Sequence, residues 1–496
     1  MTPAAPTICE PKAPSLRIPA GPPTEPVRRA ASRAEVDAQA ASIDRWRRRN
    51  RYYHDRKRDY LKFLIPRGES VVLFGCQDGT LLDALAPSRG VGVERSDASV
   101  AAASSRFPQY QFLTEEKFFA KCDDRFDFVV LDDVAGYIDD LFVFLQRIAK
   151  RCTPTARVII AQHNYLWRPV FRLCEWLRLK RPSGTMNWLS RGDVETFLTG
   201  AGFQTIGVRA KLHCPGWFLG LGPVVNAVAG MLPFVHRLAS TEFIVARPDP
   251  DPSEAHRRTA SIVLTTRDER GNIEPIVRTI PDVGASTEIV FVEGHSTDGT
   301  REEIERVIAA YPDRRIRLLS QPGIGQGDAI RTGFTQATGD VIVLLEADQT
   351  SPPGDVRKAF DIVATGRGEF VNGSRFVYPR NKGSMPLVNT IGNWVFAAWF
   401  TWLLGQRTSD VLCGIKAIDK RQYERLRRNW GFLGVRDPFG DFELAFGAAR
   451  LALKTCEVPT KYGCRPYGQP KSRVMQHGWM LLRMALRATV VFKCRS

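Results

Sequence analysis

"VIVLLEADQTSPP", residues 341–353, decides how the second half of the chain is read. Five apolar residues, Val341 to Leu345, run into Glu346 and Asp348, and two prolines close the stretch. An apolar run of this length bounded by turn residues reads as a buried strand. Residues i and i+2 of a strand share a side. Glu346 and Asp348 are therefore expected to project together from the carboxyl end of a central strand, where open α/β sheets bind ligands. Two carboxylates side by side call for a cation. Hard oxygen ligands suit Mg²⁺ or Mn²⁺, which keep their own waters and bridge substrate phosphates. The alternative is an acid pair that merely caps a helix.

The surrounding sequence repeats the pattern. "SIVLTT" (261–266), "EIVFVEG" (288–294) and "RIRLLS" (315–320) read as further strands of one α/β sheet. "TTRDERGNI" (265–273) supplies Asp268 and Glu269, and "VEGHSTDGT" (292–300) supplies Glu293, Asp298 and Gly299 in a tight turn. "GIGQGDAIRTGF" (323–334), with Gly327 and Arg331, is a glycine-rich loop entering a helix, whose free N–H groups suit a phosphate. "NGSRF" (372–376), "SDVLCGIKAI" (409–418), "DPFGDFEL" (437–444) and "CRPYGQPKSR" (464–473) follow.

In this order the motifs of 259–496 resemble a family 2 glycosyltransferase of the glycosyltransferase-A fold, most similar to its polyprenyl-phosphate, dolichyl-phosphate mannose synthase-like branch. The resemblance implies that Asp268, Glu269, Glu293, Asp298, Gly327 and Arg331 bind a nucleotide-sugar donor. It puts Glu346 and Asp348 in the place of the family's Asp-x-Asp, on a divalent metal. Arg375, Arg465 and Lys471 match basic positions that face phosphate, the last two toward the acceptor. Two departures bear on donor identity: Glu346 stands for an Asp, and "EGHS", with Gly294 and His295, replaces "DDGS". A hydroxyl acceptor would need a general base, for which Asp441 is the candidate, with Glu443 two residues on. A lipid phosphate is already ionised and needs only orientation.

The first half has its own alternation of strands and helices, with strands at 71–75, 90–94, 110–114, 126–133, 156–163, 203–210 and 241–248. "VVLFGCQDGTLLDAL" (71–85) is strand, glycine turn and helix, and "GVGVERS" ends in Glu94, where an acid commonly binds ribose hydroxyls. "FDFVVLDDV" adds Asp132 and Asp133. Residues 45–248 thus resemble a class I S-adenosylmethionine-dependent methyltransferase, with Gln77 in place of a usual glycine. A NAD-binding Rossmann unit is the rival, disfavoured by the late strand pair. The resemblance implies that Gly75, Asp78 and Gly79 cradle S-adenosylmethionine, Glu94 its ribose, and Thr114 or Glu115 its adenine, with Asp132 nearby. His163 falls near the expected methyl acceptor, although a lone His is more often structural. The Trp-rich basic insert 164–189 would cover that acceptor.

The expected fold is therefore α/β in two domains, a Rossmann-like methyltransferase fold followed by a glycosyltransferase-A fold. A disordered tail covers 1–40, the first domain 41–248, a Pro-rich linker 249–260 and the second domain 261–496, and the halves are expected to fold separately. At 496 residues two cores are the natural prior. The net charge of +17 suits phosphates or an acidic membrane surface. Nucleic acid is excluded for want of any recognised binding module. Ten cysteines without metal-ligand spacing argue for reduced thiols. No signal peptide opens the chain, and no apolar run reaches the roughly 18 residues of a membrane span. "WFLGLGPVVNAVAGMLPF" (217–234) and "NWVFAAWFTWLLG" (393–405) come nearest. The C-terminal segment 478–492, with Arg483 and Arg487 on one stripe, reads as a basic amphipathic helix able to lie in a membrane interface, or else as a core-covering helix. The expected setting is cytoplasmic, peripheral on the inner face of a membrane. The rival reading is a soluble glycosyltransferase with a hydroxyl acceptor and a degenerate methyltransferase-like domain.

Overall fold

The computed structural model describes residues 46–495, apart from 181–185, 233–234, 379–386, 436, 464 and 469–473. The expected tail at 1–40 and Lys471 lie outside the described residues.

Two seven-stranded sheets follow one another along the chain. The first comprises β1 (Ser70–Phe74), β2 (Arg89–Glu94), β3 (Gln111–Thr114), β4 (Phe126–Asp132), β5 (Cys152–His163), β6 (Phe203–Lys211) and β7 (Thr241–Pro248). Its order is β3-β2-β1-β4-β5-β7-β6. The first five strands are parallel, and β7 inserts antiparallel between β5 and β6. The second comprises β8 (Ala260–Thr266), β9 (Thr287–Glu293), β10 (Arg315–Ser320), β11 (Val341–Glu346), β12 (Phe370–Ser374), β13 (Lys416–Asp419) and β14 (Thr455–Pro459), ordered β10-β9-β8-β11-β13-β12-β14. Only β13 runs antiparallel there.

The central strands are apolar throughout because helices cover both faces. Val341 to Leu345 of β11 are all fully buried. That strand ends at Glu346, two residues earlier than a simple reading of the run suggests. Asp348 takes over there, accepting hydrogen bonds from Thr350 N (3.0 Å) and Thr350 Oγ1 (2.8 Å) in a turn. The strand-side argument for the pair therefore holds only for Glu346.

The helix Leu387–Leu404 differs from the sequence reading of 393–405. It reaches 18 residues and has the length and apolar composition to cross a membrane. Its interior polar residue Asn393 is satisfied, bonding Ser409 O (3.0 Å) and Val411 N (3.0 Å). Ala397, Phe400 and Leu403 pack on Phe442 and Phe446. The C-terminal helix Val474–Thr489 joins the same core through Leu481, Met484, Ala485 and Ala488, so one side of it covers protein.

A charged seam joins the halves. Arg157 of β5, 1% exposed, donates to both oxygens of Glu369 at 2.8 Å and to Ala452 O at 3.1 Å. Arg425 reaches Asp127 (2.5 Å) and Glu69 (3.2 Å), and Arg428 also reaches Glu69 (3.0 Å). The rings of Phe432 and Phe492 pack on Phe63. The halves thus share a buried ion pair.

Candidate active sites

In the second half the carboxyl ends of β8, β9 and β11 meet. Each is followed by a non-glycine residue in the left-handed region: Asp268 (φ 45°), His295 (φ 60°) and Gln349 (φ 56°). Such conformations cost about 1–3 kcal/mol each and persist where surrounding structure fixes them. Glu346 accepts from Gln326 Nε2 at 2.8 Å. Burial, then the carboxylates of Asp348 and Asp441, push its carboxyl up to about 7. Among the described residues no three His, Cys, Asp or Glu side chains gather as a complete ligand set. The donor set fits Mg²⁺ or Mn²⁺ taken with a substrate diphosphate, and fits poorly an all-protein cage.

Arg465 bridges Asp348 (2.8 Å) and Glu269 (2.7 Å). It therefore sits among the expected metal and nucleotide acids, where the sequence reading had it facing acceptor phosphate. Glu269 also accepts from Asn272 Nδ2 (2.6 Å). Asp268 accepts from Thr297 N (2.8 Å), and Glu293 from Ser296 N (2.5 Å). Asp298 is a turn residue: it accepts from Thr300 N (3.0 Å), Thr300 Oγ1 and Arg270 N (3.2 Å) at the start of the helix Thr300–Ala310.

One expectation is corrected, and two further expected residues are found in ion pairs. Gly327 does not offer a free N–H, because it donates to Pro438 O (2.8 Å). A Cβ there would meet Asp437 O at 2.6 Å, so close backbone approach requires the glycine. Arg331 pairs with Glu443 (2.9 Å), which also accepts from Trp430 Nε1 (2.6 Å). Each is thereby held by the other. Arg375 is clamped by Asp410 through two bonds (2.7 and 2.8 Å), with its guanidinium over Tyr462. Asp410 holds that cation well above its ordinary range.

Asp441, 5% exposed at the start of the helix Asp441–Arg450, pairs with Lys416 Nζ at 2.9 Å. Lys416, 1% exposed, also donates to Asn372 Oδ1 (3.0 Å) and Cys413 O (2.7 Å). Burial pushes the Asp441 carboxyl up and Lys416 opposes it. Sequence reasoning missed Lys416 and Asp410. The available signal for the first was a lysine alone inside the apolar "GIKAI".

In the first half a cleft of about 420 Å³ opens at the glycine turn after β1, lined by Gly75, Gln77, Asp78, Lys57, Arg51 and Asp132 among others. That volume lies in the cofactor range. Gly75 (φ 80°) is forced by crowding, since a Cβ would meet Asp132 O at 2.7 Å. Gly79 (φ 79°) lies against Phe107 and Phe112. Glu94 accepts from Gln77 N (2.6 Å) and Arg95 N (3.1 Å), and burial pushes its carboxyl up. Thr114 caps the helix Glu115–Lys121 through Lys117 N (3.4 Å), which puts its hydroxyl to local use. Asp78 is bound by Arg47 and by Arg106 (2.5 Å). Asp132 and Asp133 share Lys57 (2.8 and 2.5 Å), which the helix Arg51–Leu64 inserts from the basic segment. Tyr53 OH reaches Asp133 at 3.3 Å. Asp133 (φ 56°) follows β4 and His163 ends the neighbouring β5, close enough to interact electrostatically. The helix Arg51–Leu64 lines the cleft through Arg51, His54, Asp55, Lys57 and Arg58.

Each half thus presents a polar, strained centre at the carboxyl edge of an α/β sheet, the plan of a two-domain transferase. Residues 261–439 match the family model described as glycosyl transferase family 2, and residues 45–208 match one described as a methyltransferase domain. The chain carries a family 2 glycosyltransferase domain after a methyltransferase domain. It is similar to glycosyltransferase AglJ of Haloferax volcanii, 29% identical over 42% of this chain and 64% of that protein. It is also similar to a dolichol-phosphate mannosyltransferase of Pyrococcus furiosus, 32% identical over 27% of this chain and 36% of that protein. The chain spans less than two thirds of the length of either. Among solved structures, a Haloferax volcanii putative methyltransferase with its Trm112 activator aligns at TM-score 0.32 and 22% identity, over 43% of this chain and 97% of that one.

Proposed function

We propose that the second half transfers a sugar, with inversion, from a nucleotide-sugar donor to a polyprenyl phosphate, and that the first half transfers methyl from S-adenosylmethionine to a separate acceptor. We divide the chain as 41–248 and 261–496 for these two roles. The observation that carries the reading is the carboxylate group of Glu346, Asp348 and Asp441 at one sheet edge, with Arg375 and Arg465 beside it. Glu346 and Asp348 would hold Mg²⁺ or Mn²⁺, which neutralises charge growing on the departing diphosphate. Asp268, Glu269 and Glu293 would line the nucleotide. Arg465, with Lys471, would leave its carboxylates to meet phosphate. The similarity to a dolichol-phosphate mannosyltransferase supports a polyprenyl-phosphate acceptor, and a lipid acceptor would set the enzyme at a membrane surface, on our reading the cytoplasmic one. The test is incubation with labelled nucleotide sugars and membrane lipids, followed by organic extraction. Label in the organic phase supports the reading; label transferred only to water-soluble acceptors overturns it.

One observation favours a second reading of the first half. Its acids already have cations of their own, Asp78 with Arg47 and Arg106, Asp132 with Lys57. A domain closed in this way would bind no methyl donor. Calorimetry with S-adenosylmethionine decides: binding that Glu94→Ala weakens by about 1–3 kcal/mol supports methyl transfer, and no binding to the wild type supports the closed domain.

A further inference from the structure

Between Leu212 and His236 the chain has no Asp, Glu, Lys or Arg. A soluble core would bury such a stretch, but here it lies outside. Trp217 is 56% exposed, Leu219 92%, Val224 59% and Val228 55%. The segment folds as the helix Leu221–Met231. An apolar surface of this kind marks a place where something else docks.

The surface does not stop at the first half. A Cβ on Gly230 would meet Lys493 O at 2.9 Å, so the helix lies directly on the C-terminal segment. Lys211 Nζ reaches Phe492 O (2.8 Å), and Lys493 Nζ reaches Trp402 O (3.2 Å) at the end of the helix Leu387–Leu404. Trp399 Nε1 of that helix bonds Thr489 Oγ1 (2.9 Å) of the C-terminal helix. These neighbours expose apolar residues of their own, Trp394 at 62% and Trp479 at 74%. Three segments from both halves therefore adjoin, each with a tryptophan outside.

The rim is basic. Tyr52 OH accepts from Asn226 Nδ2 (3.0 Å), which sets the helix Leu221–Met231 against the segment holding the exposed Arg48, Arg49 and Arg51. Arg483 is exposed near Met480 and Leu486 on the C-terminal helix. An apolar centre, tryptophans at its margin and arginines around it match the layers of an anionic bilayer: acyl chains, interface and headgroups.

We propose that residues 217–232 of the methyltransferase half form, with the neighbouring surface of the glycosyltransferase half, one face that docks on an anionic phospholipid bilayer. Both halves would then work on one membrane plane. The proposal goes beyond the acceptor reading, because docking is read without any sugar, and either can fail alone.

Flotation with the full chain tests it. Vesicles of phosphatidylcholine with about 30 mol% phosphatidylglycerol should carry the wild type, and pure phosphatidylcholine should bind it at least about tenfold more weakly. The triple variant Leu219→Asp/Val224→Asp/Val228→Asp, outside both sites, should lose about tenfold or more in vesicle affinity. Its circular dichroism and melting should match the wild type, since these side chains face outward. Equal flotation of variant and wild type overturns the proposal. So does a wild type that never floats, or a dimer in solution that the variant dissociates, which would make a second copy the occupant.

Discussion

Glu346 and Asp348 differ in what they already hold. Asp348 has Thr350 and Arg465, whereas Glu346 has one amide and two acidic neighbours. Asp348→Asn should lower sugar transfer by about 10²-fold or more, the scale of one lost electrostatic stabiliser. Its melting temperature should shift little, because Arg465 keeps Glu269 as partner. Steady-state rates with Mg²⁺ check the first point and a melting scan the second. Asp441 needs a subtler test. Asp441→Asn alone leaves Lys416 buried without its counter-charge, which costs about 3–5 kcal/mol. Asp441→Asn with Lys416→Met removes the pair and should recover most of that stability. Transfer by this double variant within about tenfold of wild type is expected for an ionised phosphate acceptor. A fall of about 10²–10⁴-fold would mark Asp441 as the base a hydroxyl acceptor needs.

The strands of both sheets were readable as elements because buried parallel strands are apolar runs, and those of β1, β4, β8, β9 and β11 stand clear of their polar flanks. β12, β13 and β14 were not read as strands: they are four or five residues long, and β13 opens on Lys416 and closes on Asp419. Glu94, Asp132, Glu293 and Glu346 were legible because each ends a strand, and Asp268, Glu269 and Asp348 because they follow one within three residues. Their partners were not, since Asp410 and Lys416 reach Arg375 and Asp441 through tertiary packing that no local spacing encodes. The helix Arg51–Leu64 shows the same limit. It is densely charged, yet its Lys57 is 2% exposed. This helix and β5 together carry a pH prediction. Burial pushes His54 and His163 down to about 4, while an unfolded chain titrates them near 6.5. Between these values the unfolded chain binds more protons, so stability falls as pH drops from about 6.5 toward 4. Asp133, Lys57, Lys180 and Glu175 surround His163 and set its share. Melting scans over this window should fall less steeply for His163→Asn than for the wild type.

At the scale of the molecule, the seam between the sheets was invisible in the sequence, because Arg157, Glu369, Arg425 and Glu69 look like ordinary charged residues on separate elements. Arg157→Met leaves Glu369 with Arg247, Gln422 and the Lys454 N–H, and should destabilise the chain by an amount below the about 3–5 kcal/mol of a wholly unpaired buried charge. It should also split one calorimetric transition into two if the seam couples the halves. A single unshifted transition would mean that the seam carries no energy. Above the seam, the two sheet edges stand as separate centres on one chain, each with its own candidate ligand. The central claim is that the Glu346–Asp348 centre passes sugar to a lipid phosphate with a divalent cation. The direct measurement adds labelled nucleotide sugars to the full chain with undecaprenyl or dolichyl phosphate in vesicles, and follows label into the organic phase with Mg²⁺ or with EDTA. The account predicts organic-phase label that needs Mg²⁺ or Mn²⁺ and is lost in Asp348→Asn. Equal transfer in EDTA, or no label in the lipid from any donor while a soluble acceptor is glycosylated, would contradict it.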